Sequence, residues 1–244
     1  MMAWMSFMRE GRSVMTSALD RVSTWMRPPA AASMRGAIEP WISPAVAKLM
    51  MKTRVETDCP MIRDNRLGWD ITDYGQGRFD ELGLFLFTVR NGSAQDLSAG
   101  RGMLYAEKIM ISRRDQISPM HRHDIKAEDI INRGGGRLVL ELFASDAEGG
   151  VDPESPVSVL TDGRKRELPA GGLLKLDPGE SVTLMPGDWH AFWAEGEDVL
   201  IGEVSTVNDD LTDNVFRDPI GRFSTIEEDV APLYLLVSDY DRWL

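Results

Sequence analysis

Apolar residues recur at helical spacing before residue 53 and at a period near two after it, so the chain divides into two unequal parts. From Ser13 onward, Val14, Ala18, Leu19, Val22 and Met26 fall on one helical face, and Pro28-Pro29 ends the pattern. Ser43 before Pro44 reads as the N-cap and first residue of a second helix, with Val46, Leu49 and Met50 turned toward a partner surface. The expectation is a partly flexible helical extension over residues 1–52, packed outside the main domain. A disordered leader to about Arg35 is the alternative.

Beyond residue 53 the pattern predicts strands: LFLFTVR (84–90), AEKIMIS (106–112), RLVLELFA (137–144), SVTLMPG (181–187), DVLIGEVSTV (198–207) and LYLLVSD (233–239). Asn91-Gly92, Gly134-Gly135-Gly136, Asp162-Gly163, Pro178-Gly179 and Pro186-Gly187 read as the turns between them. Short strands without alternating helices predict a mainly β domain over residues 53–244, an antiparallel sandwich or barrel. The polar, Gly/Pro-rich stretch 145–172 reads as a loop or hairpin excursion, with Arg164-Lys165-Arg166 at an exposed tip.

Composition narrows the possible partners. A formal net charge of −12 disfavours nucleic acid, which is bound through clustered Lys and Arg. No apolar run is long enough for a membrane span, and the N-terminus lacks the features of a secretory signal. The single cysteine, Cys59, suits a reducing cytoplasm and reads as a small buried hydrophobe.

The chemistry is concentrated in PMHRHDIKAEDIINRGGG (119–136). The chain has three histidines; His121 and His123 stand here, Glu128 follows, and His190 closes PGDWH further on. Alternate residues of a strand share a face about 6–7 Å apart, so two imidazoles can share one ion. Three imidazoles and a carboxylate suit Mn, Fe, Co, Ni or Zn and leave coordination positions open. The alternative, ordinary polar residues on strands, fits poorly with a chain that places all its histidines in this pattern. INRGGGR lacks the Lys-Ser/Thr ending of a phosphate loop and reads as a barrel turn.

These residues resemble the two motifs of the cupin family: His121, His123, Glu128 and Gly135 match the first, and Gly179, Gly187 and His190 the second. Pro186 is displaced by one position, Asp115 stands where the first motif begins with Gly, and Ala194 stands where the second has Asn. Over residues 60–240 the phrases RLGWDITDYG, YAEKIM, EDIINRGGG, LPAGG, PGESVTLMPGDWHAFWAE and GEVSTVNDD resemble bacterial D-lyxose isomerases, which have the cupin fold. That resemblance implies a jelly-roll barrel, Mn2+ (Co2+ or another divalent metal as substitute) on His121, His123, Glu128 and His190, and a homodimer. It also implies interconversion of free sugars, D-lyxose with D-xylulose and D-mannose with D-fructose.

An aldose–ketose isomerase needs a group that moves a proton between adjacent carbons. Glu203 is the first candidate, because it shares a strand face with Val199 and Ile201, an apolar setting that raises a carboxylate's pKa. An outward-facing Glu is its alternative. Lys126 is the second candidate, as proton donor to a sugar oxygen or else a solvated turn residue. Asp210, Asp213 and Arg217, with the further carboxylates Asp70, Asp73 and Asp209, are candidates to hold sugar hydroxyls. Trp69, Trp189 and Phe192 are candidate faces for the sugar or else core. Rival readings of the same metal site are an Fe(II) cupin dioxygenase and a sugar-binding cupin without turnover.

Overall fold

A computed structural model describes residues 60–224 and 235–243, so the helices expected before residue 53 lie outside the described residues. Helix α1 (Pro60–Asp64) leads into β1 (Gly68–Thr72) and β2 (Leu84–Arg90); helix α2 (Ala94–Ala99), capped by Ser93 and ended by Gly100, separates β2 from β3 (Tyr105–Ser112). Then follow β4 (Ile117–Arg122), β5 (Glu128–Ser145), β6 (Val151–Asp152), β7 (Val157–Thr161), β8 (Arg164–Leu168), β9 (Gly172–Leu176), β10 (Ser181–Leu184), β11 (Trp189–Thr206) and β12 (Val215–Phe216). A 3-10 turn (Val237–Asp239) and helix α3 (Tyr240–Trp243) complete the described chain.

Among the described residues the strands pair antiparallel, in the order β1-β2-β3-β11-β5-β10-β7-β8, with β4 joined to β11, β12 joined to β4, and β6 and β9 joined to β5. Two strands of 18 residues each, β5 and β11, run through the whole arrangement. Residues 128–135 of β5 and 199–205 of β11 pair with each other and lie between β10 and β3. Residues 137–143 and 189–195 pair again beyond a register shift, now flanked by β9 and β4. The bend makes two facing layers from one pair of strands, the antiparallel cupin-type architecture expected. Leu84, Leu86, Met110, Val182 and Ile201 from one layer meet Leu138, Leu140, Leu174 and Phe192 from the other in a single core. The excursion over 145–172 contains the expected hairpin, β7–β8, with an exposed basic tip.

Two strand-level expectations change. Gly134-Gly135-Gly136 is no turn but the bend inside β5, where Gly134 (φ 151°) and Gly135 (φ 95°) take backbone angles open to glycine. Glycine runs mark turns and strand bulges alike, and here β11 crosses too closely for a side chain. A Cβ on Gly136 would lie 2.5 Å from the carbonyl oxygen of Glu197 and 2.6 Å from that of Glu195. Asn132, fully buried, ties the bend: its amide donates to the Gly136 and Leu176 carbonyls and its oxygen accepts from Gly134 N, each at 3.0 Å. Gly136→Ala is therefore expected to cost more than about 1 kcal/mol, read as a lower urea midpoint.

The described part of LYLLVSD is likewise no strand. Leu236 makes one parallel bridge to Trp69, and the chain then turns into the 3-10 and α3 segments. The Asp239 carboxylate accepts from Leu236 N at 2.9 Å, and Val237 and Tyr240 pack on Ile62. Side-chain capping and helical spacing of the apolar residues override the strand-like composition. Asp115, in place of the motif glycine, has φ 62°, a left-handed conformation that Asp tolerates better than most residues.

Candidate active site

The site lies between the layers in a cavity open to solvent, whose empty space, including that opening, is about 420 Å³. Leu84, Leu86, Met110, Ile130, Phe192 and Phe216 form its apolar wall. Opposite them stand the three histidines, Glu128, Glu203, Lys108, Lys126, Asp210 and Arg222.

His121 sits on β4 and His123 just past its end, their rings 5.3 Å apart and at nearly right angles. His190, near the start of β11, pairs with His121 across the strands, with ring centroids 4.1 Å apart. Each imidazole has its Nδ1 against a main-chain carbonyl: Pro119 O at 2.8 Å, Asp213 O at 2.5 Å and Asp188 O at 3.0 Å for His121, His123 and His190. A carbonyl only accepts, so each Nδ1 carries the proton and each Nε2 presents a lone pair. The three rings bring ligand nitrogens within 4.8 Å of one another. Burial, then the neighbouring His190 and His123, hold the His121 pKa well below the ordinary histidine value, which keeps it neutral.

Glu128 opens β5 and turns Oε1 to this cluster, 3.1 Å from His190 Nε2 and 3.6 Å from His123 Nε2. Those three atoms are buried and without a hydrogen-bond partner in the protein. Lone pairs facing one another in a dry site are costly, and a shared cation removes the cost. The donor set and its buried orphan atoms thus fit a divalent metal on His121, His123, Glu128 and His190.

The second oxygen of Glu128 faces Lys126, with Nζ to Oε2 at 2.7 Å, and the same ammonium lies 3.0 Å from Glu203 Oε1. Burial alone would lower the pKa of Lys126, but Glu128, Glu203 and Asp210 outweigh it and raise the pKa, so the residue is a held cation. Burial also pushes Glu128 up, yet the Lys126 ammonium outweighs it and holds this group well below the carboxylate range. Glu203 does share an inward face with Val199 and Ile201, all buried, but its expected apolar setting is incomplete. Lys108 Nζ lies 3.5 Å from Oε1, so the carboxylate faces two ammonium groups.

Asp210 lines the cavity beside Lys108 (3.3 Å) and Arg222 (3.3 Å). Burial raises its pKa, but Lys108, Arg222 and Lys126 overcome this and hold it far below the ordinary value. Three further candidates do not line the cavity. Trp69 packs between Phe85 and Phe87, with ring centroids at 4.9 and 4.4 Å, on the outer side of the sheet. Arg217 is half exposed and paired with Asp218. Asp213 turns its carboxylate to the main chain of residues 124–126.

Of the other aromatic candidates, Phe192 lines the cavity, whereas Trp189 packs with Met120 and Ala191 beneath the Arg122 guanidinium. Asp70 reaches the site through Arg222 (2.8 Å), while Asp73 and Asp209 cap local turns.

Lys108, Arg222, Tyr74 and Asn214 line the cavity without having been singled out. Lys108 left a signal, since it occupies the inward phase of AEKIMIS between Ala106 and Met110, where an apolar residue is the rule. Arg222 left none. It reaches the site from the irregular chain after β12, held there by Asp70 and by Thr72 Oγ1 donating to its carbonyl at 2.7 Å.

Residues 30–240 match the family model described as D-lyxose isomerase. A D-lyxose/D-mannose isomerase of Serratia proteamaculans is 50% identical over 183 residues, 74% of this chain and 79% of that protein. A protein of the same name from Escherichia coli O157:H7 is 48% identical over 179 residues, 72% and 78% of the two chains. Among solved structures, the Cellulomonas parahominis L-ribose isomerase with L-psicose aligns over 77% of this chain and 96% of its own, at 17% identity and a TM-score of 0.47. With the sequence relatives, the barrel and its site define a sugar isomerase. The chain belongs to the D-lyxose isomerase family, which sets aside the oxygenase and the non-catalytic readings.

Proposed function

We propose that the protein is a metal-dependent aldose–ketose isomerase of free sugars, interconverting D-lyxose with D-xylulose and D-mannose with D-fructose. The observation that carries this is the convergence of buried, partnerless His123 Nε2, His190 Nε2 and Glu128 Oε1 beside the Lys126–Glu203 pair, inside one cavity of a chain of this family. When bound, a divalent cation on His121, His123, Glu128 and His190 supplies Lewis-acid polarisation of the sugar carbonyl. Mn2+ is the proposed ion, and a homodimer and a cytoplasmic setting complete the proposal.

The remaining work falls to the protein. The open-chain aldose lies with its hydroxyl edge along Lys108, Asp210, Asn214 and Arg222 and its carbon edge along the apolar wall. Glu203 removes the proton from C2 and returns it to C1, passing through an enediolate. Lys126, fixed between Glu128 and Glu203, gives a positive charge and a proton donor to the sugar oxygens as charge develops on them. The apolar side chains of Leu84, Leu86, Met110, Ile130, Phe192 and Phe216 limit the water that can compete for the proton.

The test is an assay of ketose formation by the Mn2+-loaded protein over a panel of free aldoses. D-Lyxose and D-mannose are expected to turn over, and aldoses of opposite C2 configuration to turn over far more slowly. No ketose from any of them would overturn the reading.

A further inference from the structure

Asp213 does not line the cavity, yet it touches both halves of the machinery. Its Oδ1 accepts from Asp124 N at 2.8 Å and Ile125 N at 3.0 Å, and its Oδ2 accepts from Lys126 N at 2.9 Å. Its own carbonyl oxygen receives Nδ1 of His123 at 2.5 Å. Asp213 is 5% exposed, so its carboxylate is turned to these donors and not to bulk water.

The linker from His123 to Glu128 is fixed at its two ends by other bonds: Gly187 N donates to His123 O at 2.9 Å, and Ala127 donates to Thr206 Oγ1 at 3.2 Å and accepts from Thr206 N at 3.0 Å. Between those ends strand β4 has stopped at Arg122 and β5 has not begun, and residues 124–126 give their N–H groups to Asp213. Ile125, at the middle, is 67% exposed and adds no anchor by packing. Three consecutive N–H groups donating to one carboxylate therefore fix the middle of the linker, in charge-assisted bonds about twice as strong as neutral ones. A fixed main chain at Lys126 in turn sets where its long side chain begins, and so places Nζ between Glu128 and Glu203. The bond to the main-chain carbonyl of residue 213 sets which nitrogen of His123 is protonated and how the ring is aimed. The carboxylate's bonds to residues 124–126 keep that carbonyl against the ring, so a side-chain substitution acts on His123 by releasing the segment that carries it.

The segment carrying Asp213 is also bound to the site from its other side. Val215 and Phe216 pair with Arg122 and His121, and Asp210, Asn214 and Phe216 line the sugar cavity.

We propose that Asp213 is a positioning residue that holds His123 in its metal-ligating orientation and Lys126 in its catalytic one, so that metal affinity and turnover both depend on a carboxylate that touches neither metal nor sugar. The kinetic part rests on the proposed isomerase activity; the metal-binding part does not.

The test uses the full chain with Asp213→Ala and Asp213→Asn. Mn2+ affinity is measured by competition with a chromophoric chelator, the Co2+ absorption spectrum reports ligand geometry, and kcat and KM are measured at saturating Mn2+. Asp213→Ala is expected to bind Mn2+ about 10–100-fold more weakly, with an altered Co2+ spectrum. At saturating metal it is expected to keep a lowered kcat with a smaller change in KM, because Lys126 stays displaced. Asp213→Asn, which retains one acceptor oxygen, is expected to fall between this variant and the unmodified protein. A folded Asp213→Ala protein with unchanged Mn2+ affinity and Co2+ spectrum would overturn the proposal. Should the alanine variant not fold, unchanged affinity and kcat in Asp213→Asn overturn it equally. If the unmodified chain binds Mn2+ but isomerises nothing, the functional reading fails while the affinity measurement still decides the role of Asp213.

Discussion

Glu203→Gln is expected to lower kcat by about 10²–10⁴-fold, the usual contribution of a positioned proton-transfer group, while Mn2+ binding is retained. The amide keeps the size of the side chain and an oxygen facing Lys126 and Lys108, so the cavity should keep its shape. What it loses is the capacity to take a proton from carbon. The separation of the two effects is informative because Glu203 is one ammonium removed from Glu128, a proposed metal ligand: Lys126 lies 3.0 Å from one and 2.7 Å from the other. Metal analysis alongside isotope exchange at C2 checks the expectation. Near-normal exchange in a metal-loaded variant would move the base to another residue.

Removal of the metal is expected to reduce isomerisation to background, with recovery on adding Mn2+ and weaker recovery with Co2+. The reason lies in the protein's own atoms. Without a cation, two Nε2 lone pairs and the Glu128 Oε1 face one another with no partner, and the cavity lacks an electrophile for the sugar carbonyl. The same crowding predicts a lower Tm for the stripped protein, since an ion that binds only the folded state stabilises it by mass action. Chelator treatment followed by activity and thermal measurements on one sample reads both. Full activity in a preparation shown free of metal would contradict the assignment of the four ligands.

How far the site was readable from the sequence depended on how local its geometry is. His121, His123 and Glu128 come from one short segment, where strand alternation and a brief linker bring donors together, so spacing alone pointed to them. His190 was identified by scarcity, as the remaining histidine in a Pro-Gly turn leading to a strand. Lys108 was equally readable from its inward phase, but an isolated charge in an apolar run is easily attributed to an edge. Asp70 was noted as a carboxylate, but Arg222 and its pairing with Asp70 were beyond reach, since 152 residues separate the two and no periodic element carries the arginine. Gly134–Gly136 shows another limit: flexibility of backbone is visible in composition, but whether it makes a turn or a bend depends on the strand crossing over it. Asp213 was noted for its carboxylate, and its main-chain partners emerge only from tertiary structure.

The two long strands also bear on the order in which the molecule comes together. β11 pairs at once with β3, β4 and β5, which puts partners far apart in sequence into contact, as with Thr206 and Tyr105 or His190 and His121. Contacts of such long range slow folding, because loop-closure entropy is lost before they form. His190 stands beside His121 only where β11 is paired with β4, so the proposed four-ligand cluster exists only in a chain whose long strands have docked. The segment from His121 to Glu128 by itself offers three of the four proposed donors. Tight binding of an ion is thereby tied to completion of the sheet.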